Sequence, residues 1–232
     1  MRAYLRDPDE IYRRSFEAVR RETDLAAIPE DLAEIALRLV HATAMPELVR
    51  DLRFSPGAGT VGQAALVSGA PIIADCQMVA HGIRSDLVAG RNDIICALDG
   101  PGTAEYASKC KTTRAAAGIA LARSRIDGGV IAIGNAPTAL FALLDLIEEG
   151  AAKPALILGF PVGFIGAADS KQALVEADIG VPFITLAGRF GGSALAAAAV
   201  NALLIAVAAP VAVPAEAAGG SPASRSCTEG RP

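Results

Sequence analysis

The chain has no Trp, only two His, and aromatics make up 4% of its 232 residues. A core must therefore come mainly from Ala, Val, Ile and Leu, and the apolar fraction of 52% is ample for one. Basic residues are not in surplus. Lys and Arg number 21 against 25 Asp and Glu, a net charge of −4. That balance argues against a general nucleic-acid binder, but a local arginine cluster can still hold an anionic small molecule. The four cysteines, Cys76, Cys96, Cys110 and Cys227, form no CxxC pair. The opening "MRAYLRDPDE" lacks the apolar core of a signal peptide, so a reducing cytoplasm is the expected compartment. The one membrane-like run, "SALAAAAVNALLIAVAA", is short, Ala-dominated and interrupted by Asn201. It predicts a buried or interface helix rather than a span. No GxxxxGK[ST] phosphate loop occurs, and "GGSAL" fails the GxSxG nucleophile elbow at its last position.

Two amphipathic helices open the chain. In "DPDEIYRRSFEAVRRE" Asp7 is the expected N-cap, Pro8 the first helical residue and Glu10 the capping-box partner. Ile11, Tyr12, Ser15, Phe16 and Val19 share one face, opposite Arg13, Arg20 and Arg21. Ser15 is a hydroxyl within an apolar stripe, where back-bonding to the Ile11 carbonyl is the ordinary fate. The second helix starts near Pro29, with Glu30 and Asp31 complementing its dipole and Leu32, Ile35, Ala36 and Leu39 as its core stripe. His41 falls almost opposite that stripe, beside Glu34, Leu37, Arg38 and Met45. It faces solvent, a ligand or a second subunit.

From residue 70 the pattern becomes strand, glycine loop, helix. "APIIAD", "DIICALD", "GVIAIG", "PALILGF" and "VPFITLAG" are the apolar strands. Their alternation with helices predicts an α/β fold, a mostly parallel β-sheet flanked by helices on both faces, preceded by an N-terminal helical segment. Ligands of such sheets sit at the carboxyl ends of the strands, where the glycine loops converge. One domain is expected over residues 1–208, and the Ala/Pro/Gly/Ser-rich tail 209–232 is expected to be disordered.

"GAGTVG", residues 57–62, is a literal GxGxxG, yet the charged "RDLRFSP" before it is a poor candidate for the buried strand a dinucleotide fingerprint needs. His81, followed by Gly82, suits the end of a short helix, a cation at the dipole with a glycine cap. With Cys76 it makes too small a set for a metal site. His41 differs in its company. An imidazole one turn from the Arg38 guanidinium, on a partly apolar surface, suits a large flat anion and proton transfer near neutral pH.

The stretches "DPDEIYRRSFEAVRRE", "RLVHATAM", "GAPIIADCQMVAHGI", "IAIGNAPTALFALL", "PVGFIGAADSK" and "GRFGGSALAAAAVNAL" resemble, in order and spacing, the precorrin-8X methylmutase family of corrin (vitamin B12) biosynthesis. The resemblance runs from about Tyr4 to about Leu204. It implies a homodimeric isomerase that moves a methyl group from C-11 to C-12 of the tetrapyrrole precorrin-8X, giving hydrogenobyrinate, with the site near the subunit interface. It places the proton donor or acceptor on His41 and substrate contacts on Ser15 and Arg38. The family more often has "HACGM" where this chain has "HATAM", and often a basic residue in place of Phe190.

A methyl shift needs neither redox partner nor external acceptor, so no cofactor is expected. The substrate's carboxylates need donors. Arg38 is the first candidate, and Arg84, Arg114, Lys171 and Arg189 lie in or beside the inferred ligand-side loops. The "GNAPT" turn, with Asn135 and with Thr138 at a helix start, is expected to offer N–H groups to an anion. Neither nucleic acid nor membrane is an expected partner. Two alternatives remain: the cobalt-containing substrate of the anaerobic route, and a non-catalytic corrinoid carrier that would not need His41.

Overall fold

The computed structural model describes Arg2 and residues 4–88, 90–151 and 153–208; the tail 209–232 lies outside the described residues. The chain opens with helices α1 (Pro8–Glu22) and α2 (Glu30–Thr43), followed by strand β1 (Leu52–Phe54) and α3 (Ala58–Val67). Next come β2 (Ile72–Ala74), α4 (Gln77–Gly82), α5 (Ser85–Val88), β3 (Ile94–Cys96), α6 (Thr103–Cys110), α7 (Arg114–Leu121) and α8 (Arg123–Ile126). The last third alternates β4 (Val130–Ile133), α9 (Pro137–Glu148), β5 (Leu156–Gly159), α10 (Ala167–Glu176), β6 (Phe183–Leu186) and α11 (Ser193–Ala208).

The six strands form one sheet in the order β1-β6-β5-β4-β2-β3, parallel except for β1. Every residue of β2, β4 and β5 is buried, as expected of central strands covered on both faces. One core packs α2, α3, α4 and α11 against one face, through residues such as Leu39, Leu66, Val79 and Leu203. The other packs α7, α9 and α10 against the opposite face, through Ile119, Leu140, Leu143 and Leu174. The expected α/β architecture is the observed one.

The segment before "GAGTVG" does contain a strand, though not the one a dinucleotide fold requires. β1 is a three-residue edge strand running antiparallel to β6. An edge needs only one partner, so the exposed Arg53 is tolerated there. The glycines that follow serve packing. A Cβ on Gly59 would lie 2.1 Å from the Asp31 carbonyl oxygen, and one on Gly62 2.6 Å from Leu156. The start of α3 is already occupied, since the Asp31 carboxylate accepts from Gly59 N at 3.0 Å and Thr60 N at 3.3 Å. A pyrophosphate would have to displace that carboxylate from the positive end of the helix.

Asp31 also fixes the direction of α2. Ser55 N donates to the Phe183 carbonyl, which puts the start of α3 at the amino edge of the parallel strands. α2 begins there, and its fourteen residues span about 21 Å at 1.5 Å per residue. The chain then enters β1 at the opposite edge, where Ala187 N donates to the Asp51 carbonyl at 2.7 Å. His41, in the last turn of α2, therefore lies towards the carboxyl edge of the sheet. α11 packs antiparallel to the strands and buries Leu195, Val200, Leu203 and Leu204. Asn201, the polar interruption in this helix, donates to the Gly82 carbonyl and accepts from Arg84 N. Among the described residues no helix is long and apolar enough to cross a membrane.

Several local expectations are corrected. Asp7 caps α1 by accepting from Asp9 N and Glu10 N, but Glu10 is drawn outward to Arg13 and Arg14 instead of back to the cap. The apolar face of α1 is not all core. Phe16 is buried, whereas Ile11 and Tyr12 are 44% and 51% exposed. Leu37 is fully buried, because α2 is covered on more than one side, and Met45 lies beyond the helix end. Gly82 is no left-handed cap; a Cβ there would sit 2.7 Å from that of Ala197, so it lets α4 approach α11.

α2 ends at Ala44, whose φ of 54° is left-handed. That region costs an alanine roughly 1–2 kcal/mol, and a glycine little. Ala44→Gly is therefore expected to stabilise the fold by about 1 kcal/mol net of glycine's greater freedom when unfolded. A thermal melt should rise by about 2–4 °C, and an unchanged or lowered midpoint would contradict the strain.

Candidate active site

The site is built where α1 crosses α2. Residues three and four apart on one helix share a face, so Tyr12, Ser15 and Phe16 project together from α1 and Arg38 and His41 from α2. Ser15 Oγ lies 3.1 Å from His41 Nδ1, so the hydroxyl is used between helices and not on its own Ile11 carbonyl. The Phe16 ring stacks on the imidazole, with centroids 4.8 Å apart and planes inclined by 21°. Arg38 Nη2 donates to Tyr12 Oη at 2.7 Å, and its Cζ stands 5.0 Å from the Phe16 centroid. Among the described residues His41 Nε2 has no hydrogen-bond partner, and the side chain is exposed. Glu34, on the same helix as His41, is paired with Arg20.

Arg84 follows α4, and its backbone N–H donates to Asn201 of α11. Its guanidinium is engaged by Asp86 at 2.5 Å. That carboxylate raises its pKa. The remaining candidates fall in other groups. Arg114 is exposed at the start of α7, 3.9 Å from Asp99, and Thr138 Oγ1 lies 2.7 Å from Thr113 Oγ1. Arg189 stacks on Phe164, with Cζ 5.1 Å from the ring centroid. Among the described residues no hydrogen bond or ring contact links these groups to His41.

The "GNAPT" turn is not the open anion cradle that its sequence suggests. Asp75, at the carboxyl end of β2, is wholly buried and accepts from Gly134 N at 2.9 Å, Asn135 N at 3.0 Å and Ala136 N at 2.8 Å. Burial pushes its carboxyl above the ordinary range, and the three N–H groups act against that rise. Those three donors are taken by the protein's own carboxylate, and the side chains of Asn135 and Thr138 are exposed.

Lys171 is a second correction. It is 1% exposed, and Nζ donates to the Phe190 carbonyl at 2.6 Å, so it holds the β6–α11 loop from beneath. Burial lowers its pKa from 10.5 to about 8. Between those values the unfolded chain binds more protons than the folded one, so this group makes stability rise with pH across that window and not below it. The melting temperature of wild type should gain on that of Lys171→Met from pH 8 to pH 10. A difference that stays constant over this range would contradict the assignment.

Among the described residues no group of three or more His, Cys, Asp and Glu is placed to hold a metal ion. Cys76 Sγ is buried 3.4 Å from Ser193 Oγ, and His81 Nδ1 is 2.9 Å from the Gln77 carbonyl of its own helix. A cavity of about 670 Å³ among Leu121, Arg123, Asp127 and Lys153 contains none of the candidate residues. Beside Arg189 is a groove of about 420 Å³ lined by Val162, Phe164 and Phe190. Phe164 and Ile165 are 88% and 91% exposed there. Sequence reasoning took Tyr12 and Phe16 for core. The signal that could have placed them in the site was their position one turn before and one residue after Ser15.

The family model for precorrin-8X methylmutase matches residues 10–206. The chain is 51% identical over 200 residues to precorrin-8X methylmutase of Pseudomonas aeruginosa, covering 86% of this chain and 96% of that protein. It is also 51% identical over 201 residues to the Sinorhizobium sp enzyme of that name, covering 86% and 95%. A crystal structure of precorrin-8X methylmutase from Thermus thermophilus superposes with a TM-score of 0.79 at 38% identity, covering 86% of this chain and 96% of that one. These matches span both the helical pair that carries Ser15, Arg38 and His41 and the sheet beneath it: the chain belongs to the precorrin-8X methylmutase family.

Proposed function

We propose that the α1–α2 cluster is where this isomerase moves the methyl group of precorrin-8X from C-11 to C-12, giving hydrogenobyrinate in corrin biosynthesis. The observation that carries this reading is the pairing of Ser15 Oγ with His41 Nδ1 at 3.1 Å, beside Arg38. A ring nitrogen held on one side leaves the other, Nε2, as the atom that meets the substrate. As an imidazolium, His41 donates from Nδ1 to Ser15 Oγ and carries its second proton on Nε2, where it is a general acid and returns to neutral imidazole on giving that proton up. It protonates the macrocycle, the methyl group shifts with its bonding pair to the adjacent carbon, and the macrocycle returns a proton to the imidazole. Atoms and charge balance with no oxidant or external methyl acceptor.

Arg38 takes a substrate carboxylate, since a guanidinium offers two parallel donors to it. Arg84, Arg114, Arg189, Asn135 and Thr138 are proposed for the other carboxylates of the macrocycle. Tyr12, Ile11, Phe164 and Ile165 leave apolar surface exposed. Such surface suits a homodimer whose second copy helps to enclose the tetrapyrrole. The reading also includes one domain over residues 1–208, a cytoplasmic location and no nucleic-acid or membrane partner.

An absorbance time course with metal-free precorrin-8X and, separately, its cobalt-containing counterpart tests the function. Conversion of the metal-free substrate to the hydrogenobyrinate chromophore is expected. Turnover of the cobalt form alone would move the enzyme to the anaerobic route, and binding without turnover of either would make it a carrier.

A further inference from the structure

We infer that Phe16 is a positioning residue, a shared aromatic platform that sets the plane of the His41 imidazole and, on the same ring, the guanidinium of Arg38. The inference deepens the proposed site and rests on that reading. His41 and Arg38 lie three residues apart on α2 and both side chains reach solvent, so neither is fixed by its own helix. Ser15 gives the imidazole one hydrogen bond, which fixes where Nδ1 points but leaves the ring free to rock about that bond. The Phe16 ring supplies the missing constraint, with its centroid 4.8 Å away and its plane within 21° of the imidazole. Bond and stack together leave Nε2 a single direction.

The same ring also serves Arg38, whose Cζ is 5.0 Å from its centroid, while Tyr12 Oη accepts from Nη2. A guanidinium over an aromatic face is held by the ring quadrupole. Phe16 can act as a fixed reference because it is 7% exposed and is the buried residue of α1. Tyr12 flanks it with centroids 4.6 Å apart. The proton donor and the carboxylate anchor are thus registered to each other through one ring. In proton transfer a misplacement near 1 Å can cost about 10²-fold in rate.

Phe16→Leu keeps an apolar side chain and removes the platform, whereas Phe16→Tyr keeps the ring. The expected result is a fall in kcat of about 10- to 100-fold for Phe16→Leu, with KM raised less, and recovery of most of the rate in Phe16→Tyr. The chain has two His, so proton NMR gives an independent readout. The His41 C–H resonances should move downfield in Phe16→Leu as the ring current is lost, and those of His81 should stay in place. Far-UV melts confirm that the variants fold, and Phe16→Met replaces the leucine variant if that one does not.

Equal losses in the leucine and tyrosine variants, or an unmoved His41 resonance, would overturn the platform and leave Phe16 as a plain packing anchor. A leucine variant with wild-type kcat would overturn it as well. A shifted His41 resonance in a protein whose wild type converts no precorrin-8X would instead keep the platform and overturn the proposed function.

Discussion

Replacing His41 with alanine is expected to slow methyl migration by about 10²- to 10⁴-fold, the range a positioned general acid contributes. Binding of the tetrapyrrole should persist, because Arg38 remains held by Tyr12 and faced by Phe16 without the imidazole. The expected signature is a lost kcat with a KM changed by no more than a few fold. His81→Ala is the matched control. That side chain bonds the Gln77 carbonyl of its own short helix and touches no other candidate residue. Steady-state rates from the chromophore change check both variants, and a His41→Ala enzyme with near-wild-type kcat would remove the proposed acid.

Asp75→Asn should be the most damaging isosteric change in the fold. Three backbone N–H groups, from Gly134, Asn135 and Ala136, converge on the two carboxylate oxygens. An amide offers one oxygen, and its NH2 faces at least one of those donors. A buried donor left without an acceptor costs about 1–3 kcal/mol, and a displaced one adds to that. A loss of roughly 3 kcal/mol should lower the melting temperature by about 6–12 °C for a domain of this size. The chain has no Trp, so far-UV circular dichroism is the natural probe. A midpoint within 2 °C of wild type would show that the turn holds itself without the carboxylate.

Much of the architecture was legible because it rests on local pattern. The parallel strands are short apolar runs bounded by glycine and proline, and β2, β4 and β5 are buried throughout, as such runs predict. β1 was missed because an edge strand carries no such run: pairing with β6, distant in sequence, makes it a strand. The placement of His41 on the outer side of α2 was likewise legible, since helical periodicity sets it. What joins it could not be read from either helix alone. The crossing of α1 over α2 brings Ser15 and Phe16 to His41 and Arg38, and a crossing angle leaves no local mark. Lys171 and the "GNAPT" turn failed for the same reason. Each was read as a donor to an external anion, and each already serves an acceptor within the fold, the Phe190 carbonyl and the Asp75 carboxylate.

"GAGTVG" is the complementary case. Its glycines are required, but by close packing against Asp31 and Leu156 and not by a phosphate. A pattern fixed by backbone proximity has the same letters whichever neighbour approaches. The residue that separates the two readings is Asp31, 28 positions before Gly59, whose carboxylate fills the helix start.

The central claim is that the tetrapyrrole is worked on at the α1–α2 cluster, and histidine NMR tests it most directly. Only two imidazoles report, and they lie on different helices, α2 and α4. Titrating the intact protein with hydrogenobyrinate should shift the His41 resonances and leave those of His81 in place. Saturable binding of the product with His41 unmoved would contradict the account and place the chemistry elsewhere on the molecule.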